Sequence, residues 1–276
     1  MKPFVTLVRR EFWEHRMLWI VPLAMAACVI LLSLLATGVS FHGGARVVAQ
    51  SYLLLVGAAQ LVVVWFVIVF YALDCLNAER RDRSILFWKS LPVSDASTVL
   101  SKFAVAILLV PVGAFVVVLA TNVLVSTIFA IRLGGEESGG VLDATAWLDA
   151  HTIILRGVLS AMLWYAPLIA YLMFVSAWAR RNVLLWAILP PIAAALLEKL
   201  VFGTSYVLAF LDRRLQLPNP IDRHVLPIAK GEPGSVGLTS FGFLEFLQLP
   251  GTWLGLLAAA LLLFGATRIR RYRDDS

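Results

Sequence analysis

Long apolar blocks separated by short charged stretches dominate the chain. A helix rises about 1.5 Å per residue, so about 20 apolar residues are needed to cross a hydrocarbon core about 30 Å thick. Six blocks reach or approach that length, and the last two have the least defined ends. The pattern therefore predicts one all-α integral membrane domain over residues 1–276, with six transmembrane helices at about 17–40, 51–76, 103–131, 153–179, 183–202 and 251–267.

The composition agrees with a membrane protein. Hydrophobic residues make up 61% of the chain and charged residues 14%, with a mean hydropathy of +0.87. Soluble domains carry about 25% charged residues, so the deficit of charge is large and favours a membrane protein. The two cysteines, Cys28 and Cys75, lie inside apolar blocks without metal-ligand spacing, and we expect no metal site.

The positions of the cations predict the orientation. The net charge is +6, and 15 of the 23 Lys and Arg residues flank the spans on the side that holds both termini. Positively charged loops stay in the cytoplasm, so we expect both termini there. The basic run at 268–273 is interpreted as a topology signal without a further role.

Residues 2–16 form a pattern of their own. Phe4, Val8 and Phe12 recur every four residues, while Arg9 and Arg10 occupy other faces. This periodicity predicts an amphipathic helix lying in the membrane interface. It would act as an anchor for the first span or would also contact a cytoplasmic partner, and the sequence leaves both possibilities open.

The segment between the second and third spans, 77–102, carries the most information. Five consecutive charged residues at 79–83 precede the apolar run at 85–88, and Pro92 ends that helix. Ser94 is placed to cap the next helix, with Asp95 at its positive end. The mixed charges exceed what retention on one side requires, so we expect this cytoplasmic segment to pack against a partner protein or the bilayer surface.

The stretch at 203–250 is predicted to be external. It contains five prolines and an apolar patch at 241–249, which would form a re-entrant or interfacial helix. A structural cap and an exit gate are both open. Glu198, near the end of the fifth span, is interpreted as a snorkelling residue paired with Lys199.

These features resemble the permease subunits of type 2 ABC exporters. The resemblance is carried by Glu-Arg-Arg-Asp-Arg-Ser-Ile-Leu at 79–86, Ser-Leu-Pro-Val-Ser at 90–94, Lys102, and the opening Leu-Val-Arg-Arg-Glu-Phe at 7–12. The motifs cover about a tenth of the chain, and the topology covers all of it. The external loop is longer than the family pattern.

The resemblance implies a subunit of a bacterial inner membrane that pairs with a second permease, either an identical copy or a close paralogue. A separate ATP-binding subunit would dock beneath it and supply ATP and Mg²⁺ chemistry, while this chain itself carries no cofactor. The coupling helix that contacts this subunit would comprise nine residues: Glu79, Arg80, Arg81, Asp82, Arg83, Ile85, Leu86, Phe87 and Trp88. The connecting helix would be formed around Arg9, Arg10, Glu11 and Phe12.

Motifs of catalysis are absent from the sequence. No Gly-x-x-x-x-Gly-Lys-[Ser/Thr] loop occurs, and the four histidines form no spaced pair, so we expect a non-enzyme that binds no nucleic acid. Two alternatives stay open. A membrane scaffold or assembly factor would share the topology without needing a coupling helix, and an intramembrane enzyme would need acids, histidines or serines converging at one depth.

Overall fold

The computed structural model describes residues 3–35, 45–82, 93–133, 142–216 and 243–272. All regular structure in these ranges is helical. The helices are α1 (Pro3–Glu14), α2 (Met17–Leu35), α3 (Ala45–Asp74), α4 (Asn77–Arg81), α5 (Asp95–Ala104), α6 (Val110–Leu133), α7 (Ala144–Trp178), α8 (Val183–Phe202), α9 (Tyr206–Leu215), α10 (Phe243–Gln248) and α11 (Pro250–Tyr272). A π-helical turn, Val105–Leu109, joins α5 to α6.

Six helical stretches in the described part are long and apolar enough to cross a membrane. They are α2, α3 with α4, α5 with α6, α7, α8 and α11. The predicted all-α architecture and the number of candidate spans are therefore confirmed. Leucine, valine and aromatic side chains remain exposed on these helices, as expected of surfaces covered by lipid or by other helices.

Several helices extend beyond the predicted spans. α7 begins at Ala144 rather than at 153, because the Asp143 side chain accepts the Thr145 amide proton and caps the helix there. The third span begins at Asp95 rather than at 103, and Ser94 caps it through the Ser97 amide as predicted. Hydropathy marks only the apolar part of a helix, whereas backbone hydrogen bonding continues into polar turns.

The second and sixth spans also differ from the prediction. α3 already begins at Ala45 and ends at Asp74, and α11 covers Pro250–Tyr272. The fifth span, α8, has the predicted bounds. The first span is described only to Leu35, and the remainder of its predicted range lies outside the described residues.

α7 is the central helix and packs along both α3 and α11, while α2 packs against α3 and α6. The contact between α3 and α7 is close at Gly57, where an added Cβ would lie 2.7 Å from Cδ1 of Ile154. A larger residue at position 57 would therefore require the Ile154 side chain to shift. The largest buried apolar cluster joins α3, α5, α7 and α11, and it lies beneath the polar groups described next.

Candidate functional site

Glu79, the residue that begins the predicted coupling helix, lies inside the protein. Its side chain is 5% exposed, and both carboxylate oxygens face cations of the same chain. Oε1 accepts a hydrogen bond from Nη2 of Arg10 at 2.5 Å and lies 3.2 Å from Nζ of Lys102. Oε2 accepts from Nη1 of Arg270. One carboxylate thereby joins α4 to three other helices, α1, α5 and α11.

A second buried carboxylate, that of Glu11, completes the group. Glu11 is 1% exposed, and its Oε1 accepts from Nζ of Lys102 at 2.7 Å. Its Oε2 accepts from the hydroxyl of Tyr71 at 2.9 Å. Lys102 is fully buried between the two acids. We call the five residues Arg10, Glu11, Glu79, Lys102 and Arg270 the ion cluster, and the side of the molecule that holds it the cluster end.

Two carboxylates at the rim add negative charge. Nε of Arg10 lies 3.0 Å from Oε1 of Glu14, and Nε of Arg270 donates to Oδ1 of Asp95 at 3.0 Å. Burial opposes the charge of Arg10, but Glu11, Glu79 and Glu14 outweigh it and raise the pKa of the guanidinium. The guanidinium of Arg10 therefore stays charged.

The ion cluster is an arrangement in which every charge depends on its partners. Taking ions out of water costs several kcal/mol each, and only well-placed partners offset that cost. Removing one member leaves an uncompensated buried charge, so the helices that carry the cluster are held in one relative position. The cluster therefore holds α1, α4, α5 and α11 together.

α7 is tied to the same region by neutral groups. The hydroxyl oxygen of Ser176 accepts hydrogen bonds from the backbone amides of Leu76 and Asn77, at 3.2 and 3.0 Å. Arg80 donates to the carbonyl of Ala179 at 2.7 Å and to that of Ser176. α4 is therefore fixed on one side by the ion cluster and on the other by the end of α7.

The described residues of the predicted coupling helix differ in burial and in the groups that they contact. Glu79 is in the ion cluster and Arg80 is turned toward α7, while Arg81 and Asp82 have side chains 64% exposed. The remaining five predicted residues lie outside the described ranges, namely Arg83, Ile85, Leu86, Phe87 and Trp88. Among the described residues of the predicted coupling helix, Arg81 and Asp82 are the two whose charged side chains are mostly exposed.

The residues of the predicted connecting helix lie in α1, and their side chains face different surroundings. Arg10 and Glu11 point into the ion cluster, whereas Arg9 is exposed above the ring of Trp13. Phe12 packs at the edge of the apolar core. The sequence predicts only that Arg10 lies off the apolar face of this helix, and the structure directs it toward the buried carboxylate of Glu79.

The sequence does not predict that the members of the ion cluster are buried and paired with one another. Arg270 was interpreted as a topology signal only, yet its side chain is 4% exposed and pairs with Glu79. Lys102 belongs to a motif of the resemblance, but the sequence predicts no contact for it. The sequence predicts no role for Tyr71. The available signal was that these polar residues all flank spans on the same predicted side. Which of them pair could not be deduced from that.

Glu198 also differs from its prediction. Its carboxylate accepts from the hydroxyl of Thr204 and from the amides of Tyr206 and Val207, each at 2.6 Å. It thereby caps the start of α9 after the chain reverses at Gly203, whose φ is +67°. The adjacent Lys199 is exposed, and a capping role replaces the expected pairing with it.

One group in the described ranges has the composition of a metal site. Ligand atoms of Glu11, Glu14 and His15 lie within 4.8 Å of one another. The Glu11 carboxylate is already bonded to Lys102 and Tyr71, so a cation there would have to displace an ammonium group. We assign no metal to these residues.

His15 provides a pH-dependent prediction. Burial lowers its pKa, although Glu11 lies 3.8 Å away. The unfolded chain therefore binds a proton at higher pH than the folded chain, and stability falls as pH drops below about 6.5. We expect unfolding experiments between pH 8 and pH 5 to show a shallower loss of stability for His15→Gln than for the unmodified chain. Parallel pH profiles would contradict this.

Comparisons of the chain with protein-family models, with curated proteins and with solved structures found no match.

Proposed function

We propose that this chain is the permease subunit of an ABC-type exporter, driven by ATP that a separate subunit hydrolyses. One observation carries the proposal: α4, which directly follows the second span, is joined by the ion cluster and by Ser176 to α1, α5, α7 and α11. A push on the segment after α4 would therefore move several spans together. Such a segment is what an exporter needs where its ATPase docks.

The docking surface begins with the exposed pair Arg81 and Asp82 and continues into 83–92. Glu79 contributes from inside, because its contacts fix the direction in which α4 leaves the second span. α1 is the connecting helix and lies along the cytoplasmic membrane surface, where Val5 and Trp13 are exposed to lipid and Arg9 to headgroups. The external segment comprises α9, α10 and the residues between them.

The test is capture of an ATP-binding partner. The tagged chain is purified from its native membranes in a mild detergent, and bound proteins are identified by mass spectrometry and assayed for ATP hydrolysis. We expect an ATP-binding subunit to be recovered with the chain. Recovery of the chain alone, without ATPase activity, would contradict the proposal and favour a membrane scaffold.

A variant in which the charges of Arg81 and Asp82 are exchanged tests where the ATP-binding subunit docks. The double variant Arg81→Asp/Asp82→Arg keeps the net charge, and exposed pairs contribute only about 0–1 kcal/mol, so folding should be unaffected. We expect capture of the ATPase to fall at least about tenfold, because charge complementarity at the docking surface is reversed. Arg181→Asp is the matched control, an exposed arginine at the same end of the molecule. Equal capture by both variants would remove the docking assignment.

A further inference from the structure

Far from the ion cluster, three residues near the other end of α7 form a small polar group. His151 precedes Ser176 by 25 residues, which places it about 37 Å along the helix from the cluster end. Asn122 of α6 is fully buried and His151 is 4% exposed. The third residue, Trp147, lies one turn before His151. None of these residues contributes to the proposed docking surface.

The hydrogen bonds of His151 define its tautomer. Nδ1 lies 2.7 Å from the carbonyl oxygen of Trp147, which can only accept, so this nitrogen carries the proton. Nε2 lies 3.0 Å from Nδ2 of Asn122, which can only donate, so Nε2 is an acceptor and the ring is neutral. The structure thus corresponds to the deprotonated state of His151.

Asn122 is incompletely paired in this state. Its Nδ2 also donates to the carbonyl of Leu53 over a long 3.4 Å, while Oδ1 has no hydrogen-bond partner among the described residues. A buried acceptor without a partner is destabilising, because it has lost its hydrogen bonds to water. A half-turn of the amide would bring Oδ1 to Nε2, where it would accept a hydrogen bond if Nε2 carried a proton.

Trp147 favours the same protonated state. Its indole ring lies nearly parallel to the imidazole, with ring centroids 3.9 Å apart and an angle of 30° between the planes. An aromatic face attracts a cation held over it. The Trp147 carbonyl accepts from Nδ1 whether or not the ring is charged. Three contacts are therefore suited to an imidazolium.

The charged residues of α7 within five positions of His151 lie on other sides of that helix. Asp149 and Arg156 lie about 160° and 140° around α7 from His151, by the 100° that each residue turns. Arg132 of α6 donates to the carbonyl of Ser33 in α2 at 3.2 Å. On α3, the carbonyl group of Leu53, which carries no charge, accepts a hydrogen bond from Asn122. Asn122 and Trp147 are thus the residues that contact the His151 ring through hydrogen bonds and stacking.

We infer that His151, Asn122 and Trp147 form a proton-binding site near the membrane face opposite the ion cluster. A proton from the adjacent aqueous phase binds Nε2, the Asn122 amide turns so that Oδ1 accepts from it, and the bond from Asn122 to Leu53 is released. The hydrogen bond from Nδ2 of Asn122 to Nε2 is replaced by one from Nε2–H to Oδ1, and the ring gains one positive charge. Proton binding therefore changes how α6 is fastened to α3.

Nitrogen-15 NMR of the full chain in phosphatidylcholine nanodiscs tests this site. The four histidines are labelled with ¹⁵N, and the His151 signals are assigned by their loss in His151→Gln. We expect the Nδ1–H tautomer at pH 8 and a doubly protonated ring at pH 5, the range in which histidine charge can change. An Nε2–H tautomer at pH 8, or an Nε2 that remains unprotonated at pH 5, would overturn the inference.

Variants of Asn122 separate a proton site from a merely structural contact. Asn122→Leu should lower the proton affinity of His151 at least about tenfold, because the waiting acceptor is gone. Asn122→Asp, which keeps the shape and adds charge, should raise it by a similar factor. Asp149→Asn is the control on another side of α7 and should change the affinity less than twofold. An unchanged His151 titration in both Asn122 variants would also overturn the inference.

Discussion

Replacing Glu79 with Gln is expected to lower the free energy of unfolding by about 3–5 kcal/mol. Gln keeps the shape of Glu, so packing is preserved and the loss comes from charge. Arg10, Lys102 and Arg270 would remain buried with Glu11 as the only other carboxylate inside the ion cluster. The measurement is reversible unfolding in mixed detergent micelles, followed by the fluorescence of the tryptophans.

Glu14→Gln is the matched control for that variant. Glu14 also pairs with Arg10, but its side chain is 42% exposed, so its loss should cost no more than about 1 kcal/mol. The two variants remove the same charge from the same part of the molecule and differ mainly in burial. Equal effects of the two substitutions would show that the Glu79 contacts do not stabilise the fold.

Replacing Lys102 with Met should also cost about 3–5 kcal/mol. Met has a similar length without the ammonium group, and its loss leaves Glu11 and Glu79 facing each other across a fully buried site. Lys199→Met, at an exposed position of α8, is the control and should change the same unfolding free energy by less than about 0.5 kcal/mol.

A double-mutant cycle identifies the partner of Lys102. Adding Glu11→Gln to Lys102→Met removes the acid that would otherwise be left without its cation. We therefore expect the double variant to be more stable than the sum of the single effects implies, by about 1–3 kcal/mol. Strict additivity in the unfolding free energies would contradict direct coupling between Glu11 and Lys102.

The sequence predicts spans well because burial in lipid imposes a simple length rule. The apolar runs alone locate all six candidate spans, and the serine before Asp95 correctly marks the start of a helix. Helix ends are harder to predict because capping depends on a single polar group. Asp143 extends α7 well before its apolar run begins.

The ion cluster could be predicted only in part. Topology places Glu11, Glu79, Lys102 and Arg270 on one predicted side of the membrane, but it does not say which face inward. The pairing of Glu79 with Arg270 joins residues 191 positions apart, and a surface charge has the same sequence signature as a buried one. The resemblance to exporters suggests a coupling role for the 79–88 segment. It does not predict that Glu79 is buried and paired with cations of the same chain.

Hydrogen–deuterium exchange tests most directly whether the ion cluster joins α4 to the other helices. In the unmodified chain, the amides of Asn77–Arg81 should be protected from exchange. In Glu79→Gln, exchange should accelerate at least about tenfold in α4 and also in α1 and the start of α5, while α8 stays unchanged, because the ion pairs of the cluster join α1, α4, α5 and α11. Acceleration confined to α4, or no protection there in the unmodified chain, would contradict the account.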